Sequence, residues 1–307
     1  MSKEHFLPGS LGLAPMAGVT DYVFRKVCFE YGAQFAFTEM ISSKSVLLNL
    51  SVNEIYLPRE DESAKVGIQL FGSDPYELAQ AAAIVENRGL WVDLNAGCPV
   101  SKVVKKGAGS ALLRDLDHFR IVLRAMRRAV RRFSVKTRIG WEMNDFERIY
   151  DILASEGVDV IFVHGRTVKQ MYSGKAKWDI YNPGNVPLFI SGDIYTREDI
   201  SRAMEVSGAD GVIVARGAMG NPWIFSNFIP SASDKLSTVI GHIEGLYREY
   251  GKHGVVEFRK FVAGYTKDMP HAREFRNKVM KITDVDELKN AFEEYFKGFE
   301  MALKGDR

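Results

Sequence analysis

The chain has 307 residues, a net charge of +2 and a hydrophobic share of 46%, which suits one large soluble domain, or one of about 250 residues with a smaller one beside it. Two cysteines, Cys28 and Cys98, cannot build a disulfide framework, and no Cys/His cluster has zinc spacing. There is no run of about 18 apolar residues and no apolar leader in "MSKEHFLPGSLG", so the expectation is a cytoplasmic, metal-free monomer whose basic surface, if any, is local.

Eight short apolar runs recur, each ending in a polar or glycine-rich turn. In order they are "LGLAPMAG" (11–18), "FAFTEM" (35–40), "KVGIQLFG" (65–72), "WVDLNAG" (91–97), "VKTRIG" (135–140), "VIFVHGR" (160–166), "PLFISGD" (187–193) and "GVIVARG" (211–217). Near-continuous apolarity over strand length is the pattern of strands buried on both faces. Helix-period segments lie between them. "DYVFRKVCFEYG" ends on Gly32. "DPYELAQAAAIVENRG" has Asp74 as N-cap, Pro75 at the first helical position and Gly89 as its stop. "DHFRIVLRAMRRAV" carries Phe119, Val122, Met126 and Val130 on one face, and "REDISRAMEVSG" closes at Gly208. Eight such units in roughly 230 residues fit an α/β protein of the (β/α)8 TIM-barrel class, with the open doubly wound sheet as the alternative. After "GNPWIF" the strand-like runs stop. "FSNFIPSASDKLS" (225–237) reads as a linker, and the text beyond it as all-helical. The expected domains are a barrel over 1–230 and a helical domain over 231–307.

Active sites of such barrels lie at the C-terminal ends of the strands. The polar residues there are Thr38, Glu39, Gln69, Asp93, Asn95, Lys136, Arg138, His164, Arg166, Ser191, Asp193 and Arg216. A lysine inside a strand, as in "VKTRIG", is by itself compatible with an edge strand. Polar residues at the same end of all eight runs point instead to one shared site. The glycine-bearing loops after runs seven and eight form the corner that often holds a phosphate. A phosphate anchor with Lys136 and Gln69 nearby suits a nucleotide-like cofactor. FMN fits, among several phosphorylated ligands.

A lone cysteine is commonly a small buried hydrophobe, the reading kept for Cys28. Cys98 follows a strand end, precedes Pro99, and is followed by Lys102, Lys105 and Lys106. An electropositive setting favours a functional thiol, either nucleophile or proton donor. A flavin site favours the donor. In the helical region, residues 252–281 carry eight basic against three acidic residues, interleaved with Phe258, Phe261, Tyr265 and Phe275. That pattern suits either phosphate-backbone binding or a solvated face. Arg120, Arg124, Arg127 and Arg131 share a helix face read as solvated.

The motifs "APMAGVTD", "NAGCPVSKVVKKGAGSALL", "VKTRIGW", "VHGRT", "QMYSGKAKWD", "SGDI" and "ARGAMGNPWIF", in this order, resemble the tRNA-dihydrouridine synthases. The similarity spans the barrel and continues into "FRKFVAGYTKDMPHAREFRN". It implies an FMN-dependent barrel, NADPH as reductant, and a C-terminal helical domain that holds tRNA. It implies that Pro15, Met16 and Ala17 line the flavin, that Gln69, Lys136 and His164 contact it, and that Ser191, Gly192, Asp193, Ala215 and Arg216 form the phosphate corner. Cys98 would be the proton donor. Asn95, Lys102, Arg138, Arg166, Gln170 and Tyr172 would line the substrate pocket, and Arg259, Lys260, Arg273 and Arg276 would meet the tRNA. Ser191 and Ala215 depart from the Asn and Gly usual in the family. The alternatives are an FMN barrel acting on a small pyrimidine, of the dihydroorotate or dihydropyrimidine dehydrogenase kind, and an RNA-binding protein without catalysis.

Overall fold

Each of the eight apolar runs contains a parallel strand. The computed structural model describes residues 6–305. The expectation about the N-terminal segment falls partly on residues 1–5, outside the described residues. The strands are β1 (Ser10–Leu13), β2 (Phe35–Phe37), β3 (Ile41–Ser42), β4 (Val66–Phe71), β5 (Trp91–Ala96), β6 (Phe133–Arg138), β7 (Val160–His164), β8 (Leu188–Ser191) and β9 (Gly211–Val214). β1 pairs with both β2 and β9, β2 pairs with β4, and β4 to β9 pair in sequence, so eight strands close into a parallel barrel. The two-residue β3 adds onto β4 outside that circuit. The TIM barrel is therefore the fold, followed by helices.

Alternation along the strands builds the barrel interior in layers. Its lower layer is aromatic: Phe6, Phe35, Phe37, Trp91, Phe162 and Phe189 form one buried cluster. Their rings meet edge-on or tilted, with Phe37–Phe162 at 4.8 Å and Phe37–Trp91 at 5.2 Å. Glycines make room for them. A Cβ at Gly67 would stand 2.1 Å from the Trp91 ring, and one at Gly12 would stand 2.2 Å from Phe35. Two residues further along the same strands the lining turns polar: Trp91 leads to Asp93 and Asn95, and Phe162 to His164.

The helices that lie between the strands in sequence are α1 (Tyr22–Glu30), α2 (Ser43–Leu48), α3 (Pro75–Val85), the single turn α4 (Ser101–Val104), α5 (Leu116–Ala129), α6 (Phe146–Ser155) and α7 (Arg197–Ser207). Asp74 caps α3 by accepting from Glu77 N at 2.8 Å. Gly208 ends α7 at φ 58°, a left-handed turn that glycine adopts without strain. α5 buries Phe119, Val122, Leu123 and Met126. Arg120, Arg124, Arg127 and Arg131 on and just past it are each paired rather than simply solvated. Arg120 and Arg124 share Glu156 at 3.0 and 2.8 Å, Arg127 meets Asp159 at 2.9 Å, and Arg131 meets Glu86 at 3.3 Å. Burial works against the charge of Glu156, but its two arginines hold the carboxyl below the usual range.

The chain groups into two compact units. One runs through Tyr22 and resumes at Ala33–Arg216; the other comprises Val23–Gly32 and the chain from Gly217 onward. In the second unit the latter half of the stretch read as a linker is helix. Ser231 and Asp234 form a capping box that starts α8 (Ala232–Tyr250), leaving only a short loop after Phe225. Three helices follow: α9 (Lys252–Tyr265), α10 (Ala272–Val279) and α11 (Val285–Gly305). Their core is aromatic around His242, which stacks on Phe24 at 5.7 Å and meets the Tyr265 hydroxyl through Nδ1 at 2.9 Å. Burial, and then Lys260, push that imidazole down to about 3, so it stays neutral. Among the described residues no helix is long and apolar enough to cross a membrane.

Candidate active site at the barrel mouth

The strand-end polar residues converge as one connected set. In the register of the sheet Gln69, Asp93 and Ser134 stand level on β4, β5 and β6, and Asn95 and Lys136 stand level one layer higher. Gln69 Nε2 donates to Asp93 Oδ2 at 2.7 Å, and Ser134 donates to Asp93 Oδ1. Asn95 Nδ2 donates to Gln69 Oε1 at 2.8 Å. Asn95 Oδ1 accepts from Gly97 N at 3.1 Å and Cys98 N at 2.9 Å, so the strand end and the cysteine loop are tied together. The Cys98 carbonyl accepts from Ser110 N at 3.1 Å, and Cys98 itself is half-buried. Lys102, Lys105 and Lys106, beyond it, are exposed.

Burial pushes the Asp93 carboxyl up to about 7, against the hydrogen bonds from Ser134 and Gln69 and the charge of Lys136. Burial and then Arg138 bring the Lys136 ammonium down to about 8, with Asp93 and Cys98 opposing. Lys136 therefore remains mostly charged at neutral pH. His164 is pushed far below its ordinary value, by burial first and then by Arg138, Lys136, Arg166 and Arg216. It is neutral, and its Nδ1 is buried without a hydrogen-bond partner in the protein.

The Asp93 shift has a stability consequence with a definite sign. An unfolded aspartate loses its proton near 3.8 and the folded one near 7. Stability from this group is therefore full below about pH 4 and falls as pH rises to about 7. Asp93→Asn does not ionise. It is expected to unfold at the same denaturant concentration as the parent near pH 4, and to gain by a few kcal/mol above pH 7. Parallel curves across that range would contradict the assignment.

Arg138 and Arg166 hold loops. Arg138 is 4% exposed. It donates to the carbonyls of Gly97 (3.0 Å), Thr167 (2.9 Å) and Met171 (2.9 Å), bridging the cysteine loop to the loop after β7. Arg166, 2% exposed, makes a two-pronged pair with Asp193 at 2.9 and 2.7 Å and also holds the Ser173 and Gly174 carbonyls. Ala176 N adds a third bond to Asp193 at 2.8 Å. Burial opposes the Asp193 charge, but Arg166, Ala176 N and Arg216 keep its carboxyl low. Gln170 closes its own turn by accepting from Thr167 N at 2.8 Å. Tyr172 is exposed, with the Arg216 guanidinium 4.8 Å from its ring and that of Arg138 at 5.8 Å.

Gly192 sits at φ 105°, and a Cβ there would come within 2.9 Å of His164 Nε2. Its carbonyl accepts from Trp178 Nε1 at 2.9 Å. Ser191 turns its hydroxyl to the Val163 carbonyl at 3.1 Å. Arg216 is half-exposed, 4.0 Å from Asp193. Next to the β9 loop, beyond β1, Pro15 and Met16 are half-buried and Ala17 exposed, in a turn held by Thr20 and by Glu39, which accepts from Gly18 N at 2.5 Å. Ser134 and Trp178 were not singled out from the sequence. Ser134 was findable, because it lies two residues before Lys136 on the same strand face.

The positively charged Lys136 and a neutral His164 with an orphaned ring nitrogen leave polar groups at the mouth for a ligand, and the positive charge favours an anionic one. In the helical unit the basic residues divide. Arg276 holds the Thr266 hydroxyl at 2.8 Å and the carbonyls of Ala263 and Thr266. Arg259 holds the Ile282 carbonyl at 3.1 Å, Lys260 pairs with Glu257, and Arg273 is exposed.

The dihydrouridine synthase (Dus) family model matches residues 12–300, and so covers the whole site. The chain is 35% identical to tRNA-dihydrouridine synthase B of Vibrio cholerae, over 94% of this chain and 96% of that protein. It is 34% identical to a probable tRNA-dihydrouridine synthase of Rickettsia conorii, over 94% of each, and 36% identical to tRNA-dihydrouridine synthase B of Pseudomonas aeruginosa, over 91% and 90%. With both the barrel and its mouth accounted for by these matches, the chain belongs to the dihydrouridine synthase family.

Proposed function

We propose that this protein reduces specific uridines of tRNA to 5,6-dihydrouridine, with FMN as bound cofactor and NADPH as reductant. The observation that carries the reading is a half-buried Cys98 held at the same mouth as a charged, half-buried Lys136 and a neutral His164. The family match and relatives named for this activity support it.

Gln69, Lys136 and His164 would hold the flavin ring, with Pro15, Met16 and Ala17 lining it. Ser191, Gly192, Asp193, Ala215 and Arg216 would form the phosphate corner. When bound, FMN supplies hydride chemistry to carbon 6 of the uracil. Lys136 supplies positive charge beside the ring system. Asn95 and Arg138 hold the Cys98 loop, and Cys98 keeps its thiol proton until it passes to carbon 5. Lys102, Arg166, Gln170 and Tyr172 belong to the substrate side. Arg166 serves there through the loop it fixes, and Tyr172 through an exposed ring face. A stacked uridine cannot reach such a mouth, so it must leave the RNA stack. On this reading the barrel over 1–230 carries the chemistry. The helical domain over 231–307 holds the tRNA, with Arg259, Lys260, Arg273 and Arg276 on the basic side.

The test is one anaerobic experiment. Bound chromophore is reduced with NADPH, tRNA lacking dihydrouridine is added, and the visible spectrum is followed. Reoxidation only with tRNA is the expected result. Flavin indifferent to tRNA but reoxidised by a free pyrimidine would sink the reading.

The basic side chains make a separable prediction. Arg273→Glu is expected to weaken tRNA affinity and lower its salt dependence with no loss of folding stability. Arg276→Ala should cost about 1–3 kcal/mol of stability, because it strips three acceptors of their donor. Filter binding across salt and thermal melts read the two apart; unchanged tRNA affinity in Arg273→Glu would remove Arg273 from the interface.

A further inference from the structure

The buried carboxylate of Asp93 touches neither the cysteine nor open solvent, yet the hydrogen bonds around it run in one direction only. Backbone N–H groups can only donate. The Asn95 atom that faces Gly97 N and Cys98 N is therefore its oxygen, at 3.1 and 2.9 Å. That turns Asn95 Nδ2 toward Gln69, 2.8 Å away, with the Met40 sulfur at 3.8 Å. Gln69 must then present its oxygen to Asn95 and its nitrogen to Asp93, at 2.7 Å. The chain needs a group at position 93 that accepts. A carboxylate oxygen does so without ambiguity, because neither end of an ionised aspartate can donate. If Oδ1 carries a proton, the Ser134 hydroxyl can turn to accept it, and Oδ2 still accepts from Gln69. Lys136 is the other charge facing this carboxylate. All three links are buried, at 0% exposure for Asp93, 1% for Gln69 and 7% for Asn95, so water does not substitute readily for a lost partner.

We propose that Asp93 is a positioning residue for Cys98: its carboxylate sets the donor–acceptor direction of the Gln69–Asn95 chain, and that chain anchors the Cys98 backbone. The anchor has a second support from the other side, since Arg138 Nε donates to the Gly97 carbonyl at 3.0 Å. Asp93 thereby acts on the height and aim of the thiol from two residues away. The functional meaning rests on the proposed role of Cys98, whereas the anchoring itself does not.

The experiment is amide hydrogen exchange on the full chain as purified, with its bound cofactor, for the parent and three variants. Asp93→Leu keeps the shape of the side chain and removes the acceptor. Asp93→Asn keeps an acceptor for Gln69 and removes the charge. Gln69→Leu breaks the chain one link further on and serves should Asp93→Leu not fold. The two Leu variants are expected to raise exchange at Gly97 and Cys98 at least about tenfold, as for loss of a buried partner. Asp93→Asn should stay within about threefold of the parent. The amides of β7 should not change in any folded variant, which separates a local anchor from general loosening. Protection at Cys98 that survives both Leu variants, or is lost equally in Asp93→Asn, overturns the proposal. Dihydrouridine formation is measured on the same samples. If the Cys98 amide loosens in Asp93→Leu and tRNA reduction is undiminished, the anchor stands and the role of Cys98 falls instead.

Discussion

Cys98→Ala is expected to slow dihydrouridine formation in tRNA by about 10²- to 10⁴-fold, the usual worth of a positioned proton donor. On the proposed reading, bound flavin and its reduction by NADPH should be unaffected. The separation follows from where the residue is held. Its backbone N–H bonds Asn95 and its carbonyl bonds Ser110 N, neither of which needs the sulfur. Rapid-mixing absorbance of the two half-reactions reads them independently. A variant that reduces tRNA at the parent rate would dismiss the thiol as donor, and one that loses flavin would point to a structural role.

Trp91→Ala is expected to cost about 3–5 kcal/mol in denaturant unfolding, the range for truncating a large buried aromatic. Trp91 lies among Phe6, Phe35 and Phe37 at ring separations of 5.2 to 6.0 Å, over a glycine that leaves it room. Phe35 and Phe37 are anchored on β2, which is paired on both sides, so they cannot collapse into the space. Gly67→Val tests the same packing from below and should fail to fold, because its Cβ alone would fall inside the indole. A cost under about 1 kcal/mol for Trp91→Ala would mean that the layer repacks freely.

The barrel was legible because strands buried on both faces read as continuous apolar runs, and "WVDLNA" or "VIFVH" admit little else. Cys98, Lys136 and His164 stood out through being polar at the ends of those runs, and the structure brings them to one mouth. Roles within the mouth were less legible. Nothing in "HGR" or "SGD" announces that Arg166 closes on Asp193 and on two carbonyls of its own loop. Such pairings join residues 27 apart, and backbone acceptors have no sequence signature. The same holds for Arg276, whose partners are main-chain oxygens at the end of α9 and just after it. The serine-rich stretch after Phe225 carried a readable signal, the Ser231 and Asp234 spacing of a capping box, within a composition that also suits a linker.

The aromatic layer also governs traffic. Among the described residues Phe6, Trp91 and four further rings fill the lower layer of the barrel, so on the proposed reading both reactants reach the polar layer from the C-terminal ends of the strands. An electron donor and a macromolecular substrate that use one doorway must take turns. On the proposed reading the reductant departs before the nucleic acid enters, and the protein keeps the electrons between two visitors that never meet.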